Sequence, residues 1–481
     1  MSSLSSLFSS SALLFAANFI GQIILLVSLP MVSFFYAPAD FGRYSNICSI
    51  AFLLSVLMPL RYEIGIVALF SHRAARQLVW ASCIATLAIA ILYLAITNVW
   101  SPSPLHRYDA YFVTILAVFM AFLNIATSVQ NRYGHFHRLA ASALAQRTLL
   151  PAGMFLFAAF SPSMLSLFFA KLISLVCGLA FLCRWNHMPE RPRLRSLVYP
   201  SRLFAVRNYR RHAIAGLVRT CITTASRESV IILLAALGYF AEAAYYALIR
   251  TLLWAPGTLI SSTFGPILFL HACRQSRADV RVITFPVFLA LLALAASGCT
   301  YLFLLADPLV AFGFAASWAP LADILPLLLP SAFLLMASDW ASRIFDATNR
   351  QRLFLTCTTP FDLLAVIVFS TLLLLNHQPH AAIFAHSMLM AMGLLASAIA
   401  QFRLLAFSRA DLLKLALATI GSVTLTALGI KAGALIFQGP ILLLLAVLPT
   451  VLIGAGLVLS YIRLRRQFKI PAIAQPDVMA L

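Results

Sequence analysis

The stretch YSNICSIAFLLSVLMPLRYEIGIVALF, residues Tyr44–Phe70, is apolar throughout except for a few small polar residues and one charged tripeptide, Arg61-Tyr62-Glu63. It reads as a membrane-spanning helix, because an apolar run of ~20 residues is what a bilayer core requires. As a helix it would be ~40 Å long, more than the ~30 Å hydrocarbon core, which puts the tripeptide near one edge. A charge at bilayer depth costs at least ~2.5–3.5 kcal/mol on insertion scales, so it persists where it pairs, snorkels or lines a polar path. On an ideal helix Arg61 and Glu63 lie ~200° apart and are expected not to pair. Glu63 shares its face with Ser55 and Pro59 and is the expected functional half. Arg61 shares its face with Leu54, Leu57 and Met58 and is expected to snorkel to the headgroups, with Tyr62 in the aromatic belt.

Working outward, the rest of the chain repeats this composition. It is 62% hydrophobic and 10% charged, more apolar surface than a soluble fold can hide. The reading is an all-α polytopic membrane protein with about fourteen transmembrane helices. The expected spans are 11–36, 44–70, 78–99, 109–131, 139–160, 163–185, 213–236, 241–268, 282–305, 321–343, 353–375, 382–402, 412–432 and 441–462. The first lacks a basic n-region and a short h-region with a cleavage site, so it is expected to be retained. The cysteines show no C-x-x-C pair or metal-ligand spacing, and no metal or other cofactor is expected.

The formal net charge is +20, but the basic residues recur in short clusters between apolar runs, which argues against nucleic acid. They also fall in alternate loops. One set holds Arg73/Arg76, Arg132/Arg138, Arg184–Arg211, Arg274/Arg277/Arg281, Arg350/Arg352, Arg403/Arg409 and Arg463-Leu464-Arg465-Arg466, and the other set holds few. By the positive-inside rule the first set and both termini of this multi-pass protein are expected to be cytoplasmic. The organisation expected is an N-terminal lobe over 1–185, a basic linker over 186–212 lying on anionic lipid headgroups, a C-terminal lobe over 213–402, and a helix pair with a basic tail over 403–481. Six helices on each side of the linker would make a parallel pseudo-repeat around a central cavity. Ala39-Asp40-Phe41-Gly42-Arg43-Tyr44 loosely echoes Ala241-Glu242-Ala243-Ala244-Tyr245-Tyr246.

Charges within the spans are the candidates for chemistry. They comprise Arg61, Glu63, Arg147, Lys171, Arg219, Arg227, Glu228, Arg250, Asp339 and Asp362, of which Asp339 and Arg219 lie near helix ends. Arg219, Thr220, Thr223, Thr224 and Arg227 share an arc of about 180° on one helix. Hydroxyls flanked by guanidinium groups suit an anionic, hydroxyl-rich ligand, although Thr also serves as glue between membrane helices. The expected substrate-binding residues are Lys171, Arg219, Thr223, Arg227 and Arg250. Glu63, Glu228 and Asp362 are either coupling carboxylates or counter-ions of a nearby arginine. No G-x-S-x-G, H-E-x-x-H or Walker motif is present, and the expected outer loops are short, both of which argue against an enzyme.

The run Tyr36-Ala37-Pro38-Ala39-Asp40-Phe41-Gly42-Arg43-Tyr44, followed by Leu60-Arg61-Tyr62-Glu63-Ile64-Gly65-Ile66-Val67, resembles the Wzx-type polysaccharide and O-antigen repeat-unit flippases. These belong to the multidrug/oligosaccharidyl-lipid/polysaccharide (MOP) superfamily. Gly238-Tyr239-Phe240 through Arg250 to Ile260 resembles the opening of that family's second half, and Asn349-Arg350-Gln351-Arg352 resembles a basic turn near its tenth helix. The resemblance implies two six-helix lobes in an inverted V. It also implies movement of undecaprenyl-pyrophosphate-linked oligosaccharide between leaflets for O-antigen, capsule or exopolysaccharide synthesis, with a polysaccharide polymerase and a chain-length regulator as partners. The alternatives are an organic-cation antiporter of the same superfamily, which would call for an acidic cavity, and a polymerase or ligase of lipid-linked glycans.

Overall fold

A computed structural model of the chain describes residues 2–68, 72–100, 104–183, 204–274, 277–348 and 350–436. Among these residues every regular element is a helix. Eight of the helices are long and apolar enough to cross a bilayer on length and composition alone. Every expected span falls on helix except 441–462, which lies outside the described residues, although 44–70 and 321–343 are each divided between two helices. The first group is α1 (Ser2–Val32), α2 (Pro38–Leu57), α3 (Tyr62–Ala68), α4 (His72–Trp100), α5 (Pro104–Arg132), α6 (Phe136–Ala158) and α7 (Met164–Leu182). The second is α8 (Phe204–Ala236), α9 (Phe240–Arg274), α10 (Arg277–Leu304), α11 (Ala306–Gly313), α12 (Leu321–Ser338), α13 (Arg343–Ala347), α14 (Gln351–Asn376) and α15 (Pro379–Leu404), after which α16 (Arg409–Ile436) follows. Helix α8 therefore starts inside the expected linker 186–212, whose residues before 204 lie outside the described ones.

Each group packs within itself, and α2 joins them by lying against both α8 and α9. The buried apolar residues show how. One continuous core takes in Val32, Tyr36, Phe41 and Leu167 of the first group together with Leu234, Tyr246, Trp318 and Leu328 of the second. At the opposite end the core divides in two. Ile66, Leu78, Ile125 and Val129 cluster in the first group, and Val280, Phe288, Trp340 and Phe345 cluster in the second. Two lobes thus share a core at one end of the bundle and keep separate cores at the other, a V whose arms still touch where α3 and α4 meet α8.

The shared end is held by the segment after α11. Trp318 is fully buried, with its ring 5.6 Å from Phe41 and 5.7 Å from Tyr245, both edge-on. Its indole N–H donates to the Tyr36 carbonyl at 3.1 Å. The Ala315 amide donates to Ser33 Oγ at 3.1 Å, and Tyr245 Oη donates to the Ser317 carbonyl at 3.1 Å. This segment of the second lobe is therefore clasped onto the α1–α2 turn of the first. The helices beneath it touch at Gly42, where a Cβ built on the backbone would stand 1.8 Å from the Phe240 carbonyl oxygen. Only a residue without a side chain permits that approach. The two stretches that echo one another in sequence open α2 and α9, the helices that meet here.

The opening stretch departs from expectation. It is not one helix: α2 stops at Leu57, and α3 begins at Tyr62. Leu60 and Arg61 between them take left-handed backbone conformations, φ 51° and 58°, which cost non-glycine residues roughly 1–3 kcal/mol each. Pro59 has no N–H to donate to a helix, so a break is cheapest there. The turn cancels the expected ~200° separation, and Arg61 Nη1 bonds Glu63 Oε1 at 3.1 Å. Arg61 therefore pairs instead of snorkelling. Tyr62 packs against the apolar cluster of Ile66, Leu78 and Ile125. The expected span 321–343 also breaks, turning through a tight 3₁₀ segment, Asp339–Ser342, before α13. By contrast Pro30, Pro151, Pro286, Pro326, Pro330 and Pro360 all sit inside continuous helices.

Helix α16 lies along α10. Arg281 forms an ion pair with Asp411 and donates to the Ala406 carbonyl at 3.2 Å. Further along, Ser297 and Thr426 share a buried hydroxyl–hydroxyl bond of 2.8 Å. A polar bond at that depth fixes the rotation of one helix on the other.

Candidate functional site

Just beneath the shared core, where the lobes begin to part, the structure gathers most of the expected residues. Helix α8 carries Arg227 and Glu228 next to core residue Val230, and α9 carries Arg250 next to core residue Ile249. Arg250 Nη2 pairs with Glu228 Oε2 at 2.9 Å, and its Nη1 donates to the Arg227 carbonyl at 2.8 Å. Glu228 is 6% exposed. It is therefore the counter-ion of Arg250, one of the two roles expected of it. A buried carboxylate needs such a partner, since its desolvation costs several kcal/mol.

One turn along α9 from Arg250 stands Trp254. The guanidinium carbons of Arg227 and Arg250 each lie 5.5 Å from its ring centroid. Two cations gathered on one indole are held by its quadrupole, an attraction worth about 2 kcal/mol or more once desolvated. Arg250 is also 5.9 Å from the Tyr246 ring. Trp254 Nε1 and Tyr246 Oη are both buried without a hydrogen-bond partner, and such groups typically cost ~1–3 kcal/mol each. The cluster thus holds two guanidinium groups and two idle N–H or O–H donors.

Around it, Asp362 of α14 lies close enough to Arg227 to feel its charge. Its backbone carbonyl accepts from Ser226 Oγ at 3.2 Å. His386 of α15 is fully buried, with Nε2 3.1 Å from the Ser226 carbonyl. From the first lobe, Lys171 of α7 and, from the second, Glu228 both act electrostatically on Cys48 of α2. Lys171 therefore approaches the same apex from the other side.

Other expected residues fall elsewhere. Arg219 lies two turns before Arg227 on α8, with its side chain outside the described residues. Thr223 Oγ1 donates to the Thr220 carbonyl at 3.2 Å, and Thr220 Oγ1 donates to Gly216 at 2.9 Å. In these bonds the hydroxyls donate to carbonyls of their own helix. Glu63 is not part of the cluster: it lies on α3, with Oε1 on Arg61 and Oε2 buried without a partner, and Arg61 is close enough to Cys221 of α8 to act on it. Trp254, Tyr246 and His386 were not singled out from the sequence. The signal for Trp254 was its position four residues after Arg250, on the same helix face.

Among solved structures, the chain resembles the lipid II flippase MurJ in an inward closed conformation, with a TM-score of 0.66 and 14% identity. That match covers 94% of this chain and 100% of that one. It also resembles an inward-facing multidrug-resistance MATE transporter of the MOP superfamily (TM-score 0.53, 13% identity, 85% of this chain and 98% of that one). A eukaryotic MATE transporter matches with TM-score 0.51 and 13% identity, over 87% of this chain and 98% of that one. No protein-family model and no curated protein sequence matches the chain. The fold is that of MOP-type transporters and flippases, as expected from the sequence.

Proposed function

We propose that this protein is a flippase for undecaprenyl-pyrophosphate-linked oligosaccharide. It would work in a bacterial cytoplasmic membrane by alternately opening the two ends of the cleft between its lobes. The observation that carries the reading is the pair of guanidinium groups on Trp254 at the apex of the V. Arginine engages phosphate oxygens in a planar, two-point fashion, and the lipid tail can remain in the bilayer while the headgroup enters the cleft. The MurJ-like fold supports a lipid-linked cargo. Of the acids at the apex, Glu228 is committed to Arg250, and the basic groups Arg227, Arg250 and Lys171 outnumber Glu228 and Asp362, which suits an anion better than an organic cation. Transfer chemistry has no support in the motifs, so the reading is transport and not synthesis. A polysaccharide polymerase and a chain-length regulator remain the partners this reading proposes, with anionic lipids along the basic surface.

The test is a chain carrying Arg227→Ala and Arg250→Ala, with Glu228→Gln added so that no buried carboxylate is left unpaired. Surface polysaccharide should be lost while the amount of protein in the membrane is unchanged. Normal polysaccharide in that variant would remove the site from the mechanism.

A further inference from the structure

Proline alone does not break helices in this chain. Pro30, Pro151, Pro286, Pro326, Pro330 and Pro360 each sit inside a continuous helix. Helix α9, which opens on the stretch that echoes the start of α2, runs unbroken through Pro256 and Pro266. Pro59 behaves differently, because Leu60 and Arg61 after it turn left-handed and α3 begins only at Tyr62. Such residues persist where their surroundings hold them, and they collect at switch regions. Few contacts hold them here. Arg61 Nη1 pairs with Glu63 Oε1 at 3.1 Å, and Arg132 Nη1 of α5 donates to the Ile66 carbonyl of α3 at 2.8 Å. Tyr62 and Ile66 pack with Leu78 and Ile125. Against these gains stand the two strained residues and two orphaned atoms, Arg61 Nε and Glu63 Oε2, both buried with no hydrogen-bond partner. Buried groups left so are destabilising.

We infer that α2 and α3 form a two-state switch that makes and breaks the contact between the lobes at the end where their cores divide. In the bent state, the one in this structure, the chain turns at Leu60 and Arg61 and α3 lies against α8. In the straight state α2 continues into α3 as one helix, the form α9 already takes in the second lobe. A straight helix sets Arg61 and Glu63 ~200° apart, so their pair cannot survive there. Arg61 is also close enough to Cys221 of α8 for its charge to act on it. Breaking the pair and withdrawing from α8 are therefore one event. The element is bistable in the sense that strain and orphaned groups oppose an ion pair, a capping bond and apolar packing. It concerns how the cleft opens and not what passes through it.

The test measures distances between spin labels by double electron–electron resonance, in the full chain without its native cysteines, in nanodiscs. Labels go on cysteines at Phe52, Val67 and Val218, all exposed, so that packing is spared. The pair 52 and 67 reads the bend, since a straight helix sets those positions about 22 Å apart along its axis at 1.5 Å per residue. The pair 67 and 218 reads the contact with α8. The parent chain should show the bent distance as the main one and the straight distance as a second. Leu60→Gly should raise the bent-to-straight ratio about fivefold or more, because glycine takes positive φ without steric cost. Leu60→Val should lower it severalfold, a β-branched residue being a poor fit there. Arg61→Gln with Glu63→Gln, which removes the pair without leaving a lone charge, should lower it as well. A parent found in the bend alone, with the straight distance appearing in the last two variants, bears the switch out equally. If the 52–67 distance is single and unmoved in every variant, α3 is a fixed part of the first lobe and the inference fails. If it moves while the 67–218 distance does not, the bend does not govern the contact between lobes and the inference fails too. No substrate is added, so neither failure bears on the cargo proposed above.

Discussion

Gly42→Ala should open the closed end of the bundle. The Cβ it adds would lie 1.8 Å from the Phe240 carbonyl oxygen, whereas a carbon–oxygen contact needs roughly 3.3 Å or more. The obstacle is backbone, so no rotamer change relieves it. Helices α2 and α9 must separate by more than about 1 Å, and overpacking of this kind typically costs ~1–3 kcal/mol. The Trp318 clasp above them depends on the same separation, since its ring meets Phe41 of α2 and Tyr245 of α9 together. A cysteine pair at Ser33 and Ala315, in a chain without its native cysteines, reads the distance directly. It should cross-link readily in the parent and severalfold less in the Gly42→Ala variant. Gly429→Ala is the control, because a Cβ there meets nothing within 4 Å. Undiminished cross-linking in the Gly42 variant would mean that the close approach does not hold the lobes together.

Arg250→Ala should be among the most destabilising single changes in the chain. It strips Glu228 of its 2.9 Å partner while leaving it 6% exposed. A buried charge left without its partner typically costs ~3–5 kcal/mol. Adding Glu228→Gln should restore much of that loss, because the uncompensated charge disappears. Glu228→Gln alone should cost less than Arg250→Ala, since Arg250 keeps the Arg227 carbonyl and the rings of Trp254 and Tyr246. Thermal melts of the three purified variants give the order directly. If the double change melts no higher than Arg250→Ala, the pair is not what stabilises the apex.

The helical spans were legible because long apolar runs between polar breaks have few other solutions. What the sequence concealed was everything set by contact between distant helices. Pro59 hinted at a break, but nothing in the periodicity says that Leu60 and Arg61 turn left-handed, and that turn reversed the relation of Arg61 to Glu63. Gly42 stood in a recognisable motif, yet its reason is the Phe240 carbonyl on another lobe. Trp318 lay in what read as a short outer connection. Arg227, Glu228 and Arg250 were visible as misplaced charges, whereas their pairing and the indole between them depend on how α8 meets α9.

Transport itself is the most direct test. The purified chain is reconstituted into liposomes containing a prenyl-diphosphate-linked oligosaccharide, and the fraction of sugar reached by an added lectin is followed with time. Exposure of the sugar from the inner leaflet should depend on the protein. That exposure should be lost when Arg227→Ala, Arg250→Ala and Glu228→Gln are combined. Equal exposure with and without the protein, or with and without the arginines, would contradict it.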